Sequence, residues 1–567
     1  MNWTWKLSRR RAALLVTVVV LALAAAFVAG CGGGSSGGSG DASASPSGDQ
    51  PVFRLGSVGD PYDSLNPFVA SYTSSWTALM LLYPNLVQYS NDLEVQPEFA
   101  ESWTVSDDGK TWTFKLRSGA VWTDGKPITA ADAAFTIDTV LKFKDNVTAF
   151  LSTMVPTVKD AEAVDDTTLV LTLTAPSAAL LSDMYFLPIV PEHVWAPLAV
   201  GDGAKLKTPT MDPSKETVVV SGPFTIEKLD VKGTTIFKRV DTFYGEKPLI
   251  TGYGFQLFSN ADAAVQALKA DEIDCAYFLP ASSTAAFDGQ DQFKVQGFGE
   301  LPWFVAVNDS ENYTKHPELR EPAVREALSL ATDRSAIIES VNRGFATSGG
   351  WPLIPGYAPQ YMTEPMPVPN LDVAKANELL DGLGYAKGSD GIRVADGVKM
   401  SYEILVYAPF RATDGRTADL LREDFAAIGV ELKQKLLDDP YTAMWANDYT
   451  DYAMLLTGWG LSPDPNGSLI ISTSGLLGSS NPTGYSNATY DKLFDEQSAE
   501  TDPAKRKAII DEMAGLLEQD QVYLPLYGGQ IVTAWNARWT GVEEMGSALG
   551  FYMPLRKSLF DSLAVQQ

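Results

Sequence analysis

Two histidines, two cysteines and thirteen tryptophans are the groups from which this 567-residue chain would have to assemble a chemical site. His193 and His316 each stand close to a proline in what reads as a loop. A Ser–His or Cys–His nucleophile pair would have to use one of them, and no serine or cysteine of the folded part stands in a G-x-S-x-G elbow. H-E-x-x-H, C-x-x-C and G-x-x-x-x-G-K-[ST] are absent, so metalloprotease, zinc and P-loop readings lack support. Asp464-Pro465-Asn466-Gly467 carries only the opening of a calcium loop. A glycosidase pair of carboxylates stays open among the 70 acidic residues. What the residues offer instead is binding chemistry. Trp303-Phe304, the run from Tyr407 to Arg411, and the run from Gly458 and Trp459 through Ser462 to Asp464 each combine aromatic or charged groups with a strand end or a loop.

Charge and cysteine usage narrow the partners. The chain carries 70 acidic against 43 basic residues, a net charge of −27, with no basic patch. Such a surface repels phosphates, so nucleic acid is not an expected partner. The acidity is spread along the chain, as a solvated surface requires. Residues 1–30 read as a targeting segment, with Lys6, Arg9, Arg10 and Arg11 ahead of an apolar run over 14–27 that is short for a spanning helix. Val28-Ala29-Gly30-Cys31 then places small residues directly before a cysteine. This resembles the bacterial lipobox, which implies cleavage before Cys31 and lipid on its thiol and new amino terminus. An ordinary signal peptide and an N-terminal membrane anchor are the competing readings, and Ser8-Arg9-Arg10 leaves the export route open between Sec and Tat. Residues 32–50 are Gly, Ser, Asp, Ala, Pro and Gln without a large apolar group. They form a tether of roughly 25 Å end to end. Only Cys275 remains, so the folded part has no internal disulfide. It sits in a strand-like run over 272–278, where a buried structural thiol is the expected state.

The elements that must position these groups follow from periodicity and caps. Trp112, Phe114 and Leu116 alternate with polar residues, a strand with one face in a core. Asp107-Asp108-Gly109, Ser118-Gly119 and Asp124-Gly125 are turns around it. Thr129 with Asp132 three residues on is a capping box opening a helix that buries Phe135, Ile137 and Leu141. A helix runs from about 74 to 82, and 158–175 reads as a hairpin around Asp165-Asp166. Farther on, Pro322 opens one helix, and Asp333, Asp372 and Asp502 cap three more. The last of these turns Ile509, Met513, Leu516 and Leu517 inward. Strands are expected at 303–307, 401–407, 430–436, 452–457 and 522–526. Alternation with helices argues an α/β lobe.

Pro97, Ala100, Trp103, Trp112, Phe114, Leu116, Arg117, Trp122, Asp124, Gly125, Pro127, Thr129, Ala130 and Asp132 together form a segment that closely resembles the signature of bacterial extracellular solute-binding proteins of family 5. That group takes oligopeptides, dipeptides and nickel. Leu65-Asn66-Pro67, Ser221-Gly222-Pro223-Phe224, Val324 to Arg334 and Tyr485 to Leu493 carry the resemblance over residues 51 to about 560. It implies a bilobed α/β fold of the periplasmic-binding-protein type (type II, cluster C) with an inserted extra subdomain. Lobe I would take 51–84, 211–300 and 527–567, the insert 85–210, and lobe II 301–526, with the signal peptide at 1–30 and the lipidated tether at 31–50. Ligand would lie between the lobes, which close by a hinge.

The resemblance also assigns roles. Trp303 and Phe304 would be aromatic walls at the crossover between lobes. Family 5 peptide binders carry a tryptophan where Trp459 stands, then an aspartate for the peptide's α-ammonium. Ser462 occupies the neighbourhood of that acid, and Asp464 matches the Asp-Pro turn after it. Arg411 stands where relatives place an arginine for the ligand's carboxylate. Tyr62, Trp76, Trp351 and Tyr441 fall in loops that resemble cleft-facing ones. The implied protein is a non-catalytic, monomeric, lipid-anchored receptor on the outer face of the cell membrane, without cofactor or metal. It would deliver a peptide or peptide-like solute to an ABC permease and its ATPases. An oligosaccharide receptor is the alternative within the family; an orphan sensory or adhesive lipoprotein and a cleft hydrolase are the alternatives outside it.

Overall fold

The computed structural model describes residues 52–58, 62–440, 448–551 and 555–565. Cys31 with its leader and tether lies outside the described residues, as does Tyr441.

One eleven-stranded sheet runs through both halves of the molecule. Its order is Glu431–Leu437, Ser401–Tyr407, Met454–Gly458, Phe293–Val307, Tyr523–Asn536, Cys275–Leu279, Val52–Val58, Gly252–Phe258, Thr234–Arg239 and Phe224–Lys228, with Ala346–Ser348 added beside Tyr523–Asn536. Val52–Val58 is parallel to both of its neighbours. A strand so placed must be covered on both faces, and Phe53, Leu55 and Val58 are buried accordingly. At the other end, Ser401–Tyr407 and Glu431–Leu437 are parallel, joined through the helix Arg416–Ala427. That crossover buries Leu421 and Phe425 against Tyr402, Ile404 and Val406. Cys275 is fully buried in its strand, and burial pushes its thiol well above the ordinary range.

The two halves are joined by the longest strands. Phe293–Val307 and Tyr523–Asn536 pair antiparallel from Phe293 with Asn536 to Ala306 with Tyr523. The register shifts between Phe298 and Leu301 and again between Trp303 and Phe304. The sequence suggests only 303–307 and 522–526 here. Gly297, Gly299, Pro302, Pro525, Gly528 and Gly529 all read as strand breakers. In the fold, Gly299, Pro302 and Pro525 border those register shifts, where an irregular ladder tolerates them.

A separate four-stranded antiparallel sheet holds the segment between Ala100 and Leu173, in the order Ala100–Val105, Thr111–Leu116, Thr168–Leu173, Val158–Asp165. Helix Ala130–Lys142 lies on it, and its capping box is present: Thr129 N–H donates to Asp132 Oδ2 at 2.9 Å. Asp333, Asp372 and Asp502 cap their helices as expected. Helix Pro503–Asp520 differs in its buried face, which is Arg506, Ile510, Met513, Ala514 and Leu517, leaving Ile509 and Leu516 half-buried. The stripe follows Arg506, which is drawn inward by Asp464.

Candidate functional site

A cavity of about 380 Å³ opens where the two long strands cross. Its walls come from both sides of the crossing: Phe278 to Ser282 and Ile531 from one, Trp303, Phe410, Asp414, Arg416 and Trp459 from the other. This is the small end of the size range that holds a bound solute, roughly 300–1,000 Å³.

Trp303 is fixed by its neighbours in the sheet. It pairs with Gly458 on one side and Tyr527 on the other. Its indole stacks on the Tyr527 ring, centroids 6.0 Å apart and planes 5° from parallel. On the other side, a Cβ on Gly458 would stand 2.9 Å from Trp303 Cε3, so the missing side chain is what lets the ring lie there. The indole N–H then donates to Asp414 Oδ1 at 3.2 Å. Trp459 follows at the end of the same strand, its backbone N–H donating to Pro302 O at 3.1 Å and its indole N–H to Gly467 O at 3.2 Å. Phe278 reaches the cavity by a different device. It sits at the register shift between Tyr277 and Leu279 with φ +64°, a left-handed conformation that is uncommon outside glycine and re-aims the side chain.

Asp414 is the buried charge of the wall. It is 2% exposed and stands in the π-helical turn Arg411–Gly415. Besides Trp303, the Thr413 hydroxyl donates to Oδ1 at 3.3 Å. Burial pushes its pKa up to about 7 against the pull of those two hydrogen bonds. Arg416, exposed, opens the following helix and lines the same cavity.

Of the residues singled out in the sequence, Trp303 and Trp459 line the cavity. Phe304 does not: the strand alternates its faces, and this ring is fully buried edge-on against Tyr523. Arg411 is exposed and is not on the cavity wall; the π turn brings Thr413, Asp414 and Arg416 to it instead. Asp464 is 3% exposed and committed to Arg506, with Oδ2 accepting from Nη1 at 2.5 Å and Oδ1 from Nη2 at 2.7 Å. It is therefore not available to a ligand amine. Ser462 donates to Asp464 O at 2.6 Å, holding the turn rather than facing the cavity. Tyr62 stacks on Phe255 at 4.5 Å, Trp76 packs near Phe150 at 5.6 Å, and Trp351 donates to Pro367 O at 2.8 Å, all three buried away from the cavity. Asp414, Arg416 and Phe278 were missed. Asp414-Gly415 reads as a turn, and nothing in the sequence announces a π turn or a bulge.

His193 Nε2 lies 2.8 Å from Asp124 Oδ2, and His316 Nδ1 lies 3.0 Å from Glu318 Oε1, both away from the cavity. Among the described residues no group of three or more His, Cys, Asp or Glu is placed to hold a metal ion.

Two α/β lobes crossed by a pair of long strands, with a cavity at the crossing and an extra subdomain on one side, define a periplasmic-type solute receptor. The chain belongs to the bacterial extracellular solute-binding proteins, family 5, whose model (family 5 Middle) matches residues 94–481. Proteins of this family bind solutes and are not enzymes. The dipeptide-binding protein of Escherichia coli is 27% identical over 532 residues, covering 90% of this chain and 94% of that one. Protein XP55 of Streptomyces lividans is 27% identical over 480 residues, 81% of each chain. The substrate-binding protein CtaP of Listeria monocytogenes shares the fold, with a TM-score of 0.75 at 23% identity over 92% of this chain and 100% of that one. The family is extracellular, which places the chain outside the cytoplasm. Among the described residues no helix is long and apolar enough to cross a membrane.

Proposed function

We propose that this chain is the lipid-anchored substrate-binding component of an ABC importer, capturing a peptide or peptide-like solute between its lobes. The observation that carries this reading is a cavity walled from both sides of the strand crossing, with Trp303 and Trp459 on one wall and Arg416 beside them. A solute held there touches both lobes, the condition under which ligand favours a closed form. The likeness to a dipeptide-binding protein supports the peptide class. The closed monomer then docks on a permease whose ATPases supply the energy. The lobe limits suit this scheme, since cuts at 300/301 and 526/527 fall in the two long strands near the pairing of Leu301 with Gly529. Two tryptophans on one wall also suit stacking on sugar rings, so an oligosaccharide ligand is the second reading.

Thermal unfolding of the purified protein against free peptides, N-acetylated peptides and cello- and xylo-oligosaccharides tests the choice. Ligand at a hundredfold its dissociation constant stabilises by about 2.7 kcal/mol. We expect peptides to give that shift, and Trp459→Ala to weaken it by about tenfold in affinity with the fold intact. A shift from sugars alone overturns the peptide class, and unchanged affinity in Trp459→Ala removes Trp459 from the site.

A further inference from the structure

We propose that Asp414 receives the positively charged group of the solute, so that the cavity selects ligands carrying a free ammonium. This rests on reading the cavity as the solute site and names what that site recognises. The carboxylate stands in the cavity wall at 2% exposure. Oδ1 takes both of its hydrogen bonds, from the Trp303 indole and the Thr413 hydroxyl. Oδ2 takes none among the described residues, and no lysine, arginine or histidine nitrogen there lies within 4.0 Å of either oxygen. Other buried carboxylates have cations or several donors. Asp464 has Arg506, and Asp274 has Arg54 and Arg538. Glu98 accepts from the Asn85 N–H and the Tyr244 hydroxyl, and Asp132 accepts from the Thr129 and Glu192 N–H groups. An unmatched carboxylate in a low-dielectric wall is costly unless a partner arrives.

The surroundings suit one kind of partner. Trp303 lies beside the carboxylate, its ring held by Tyr527 and Gly458, and Trp459, Phe278 and Phe410 complete an aromatic lining. Aromatic faces with one carboxylate attract an ammonium by charge and by cation–π contact together.

The titration of Asp414 supplies an independent readout. In the empty cavity the group ionises near pH 7, because burial disfavours its charge. An ammonium binds the ionised form and so displaces a proton. Affinity should then fall about tenfold for each pH unit below 7, and for the alanine peptides fall again above about pH 8 as their own α-amino group loses its proton. Of the other groups facing Asp414, burial holds the Tyr527 hydroxyl protonated well above its usual range, and Arg416 lines the same cavity.

The experiment uses the purified full-length protein with di-, tri- and tetra-alanine, each paired with its N-acetylated form, and putrescine paired with its N,N′-diacetyl form. Thermal shift and calorimetry are run on wild type, Asp414→Asn and Trp459→Ala across pH 5 to 9, about two units either side of the expected midpoint. Free-amine members should stabilise the wild type with the acidic fall-off, and acetylated members should not. Asp414→Asn should lose about tenfold or more in affinity and lose the acidic fall-off, while its unliganded melting temperature does not drop. Equal binding of acetylated probes, no stabilisation by any free amine, or a pH-independent wild type overturns the inference. If Asp414→Asn binds normally while Trp459→Ala does not, the ammonium assignment falls and the cavity remains the site. If both variants bind normally, the cavity falls with it.

Discussion

The contact between Asp464 and Arg506 has both carboxylate oxygens on one guanidinium, with the Asn466 backbone N–H donating to Oδ1 at 2.9 Å and Gln497 Oε1 accepting from Arg506 Nε at 3.1 Å. The guanidinium carbon also stands 5.5 Å from the centre of the Tyr361 ring. Two buried charges satisfied this fully hold a turn and a helix together, and removing one partner strands the other without water. Asp464→Asn should therefore cost about 3–5 kcal/mol of stability by chemical denaturation. Whatever solute the molecule takes, its affinity under native conditions should change little. A variant of normal stability with lost binding would return Asp464 to the site. Arg411 and Arg416 show the same lesson on the surface. Both are exposed, and only the turn between them decides which one lines the cavity.

Three adjacent strands meet at the cavity, and the element that fixes its tryptophan is a bare stretch of strand backbone. Gly458 has room for the Trp303 indole because it has no side chain. Gly458→Ala would set a methyl 2.9 Å from Cε3 and 3.0 Å from Cδ2 of that ring. The ring cannot retreat, since Tyr527 is stacked on its far side and Asp414 holds its nitrogen. The substitution should cost about 1–3 kcal/mol by overpacking. It should also change the tryptophan emission and weaken solute binding, which fluorescence titration would read. Unchanged emission and affinity would mean the strand shifts to accommodate the methyl. Of the helices at this cavity, Arg334–Ser340 begins with the Asp333 cap that the sequence displays, whereas Arg416–Ala427 begins without a side-chain cap.

Across the whole molecule, contacts tie parts far apart in the chain. The Ala178 N–H donates to Ser498 O at 2.8 Å, and Gln360 Nε2 donates to Asp92 O, so the separate four-stranded unit and its flanks rest on the half that carries Trp459. Lys557 near the C-terminus is buried, donating to Tyr83 O at 2.5 Å and Asn85 Oδ1 at 2.6 Å. Its burial pulls the ammonium pKa down to about 8. The chain's net charge of −27 includes Lys6, Arg9, Arg10 and Arg11 of the leader; the remainder, at −31, is repelled by an anionic membrane. The proposed lipid anchor makes retention at the membrane a property of Cys31, which a substitution tests. In the native host, Cys31→Ser should abolish labelling by radioactive palmitate and release the protein to the medium or soluble fraction. Retention of an unlabelled variant would point to the uncleaved apolar segment as the anchor instead.

What the sequence determined by itself was local or repetitive. Caps, hairpin turns and alternating strands depend on residues a few positions apart, and Thr129 with Asp132 or the strand Ser401–Tyr407 could be read directly. The family signature between Pro97 and Asp132 likewise announced the fold, because many spaced positions must match at once. What only the tertiary structure decided is which side chains meet across long separations. Trp303, Asp414, Gly458 and Tyr527 are more than two hundred residues apart at the extremes, and they converge because two long strands cross at irregular register. The same packing withdrew Asp464 into an ion pair and turned Asp414 into the cavity. Register, a π turn and the choice of buried partner are settled by the free energy of the whole core, which no local pattern of residues encodes.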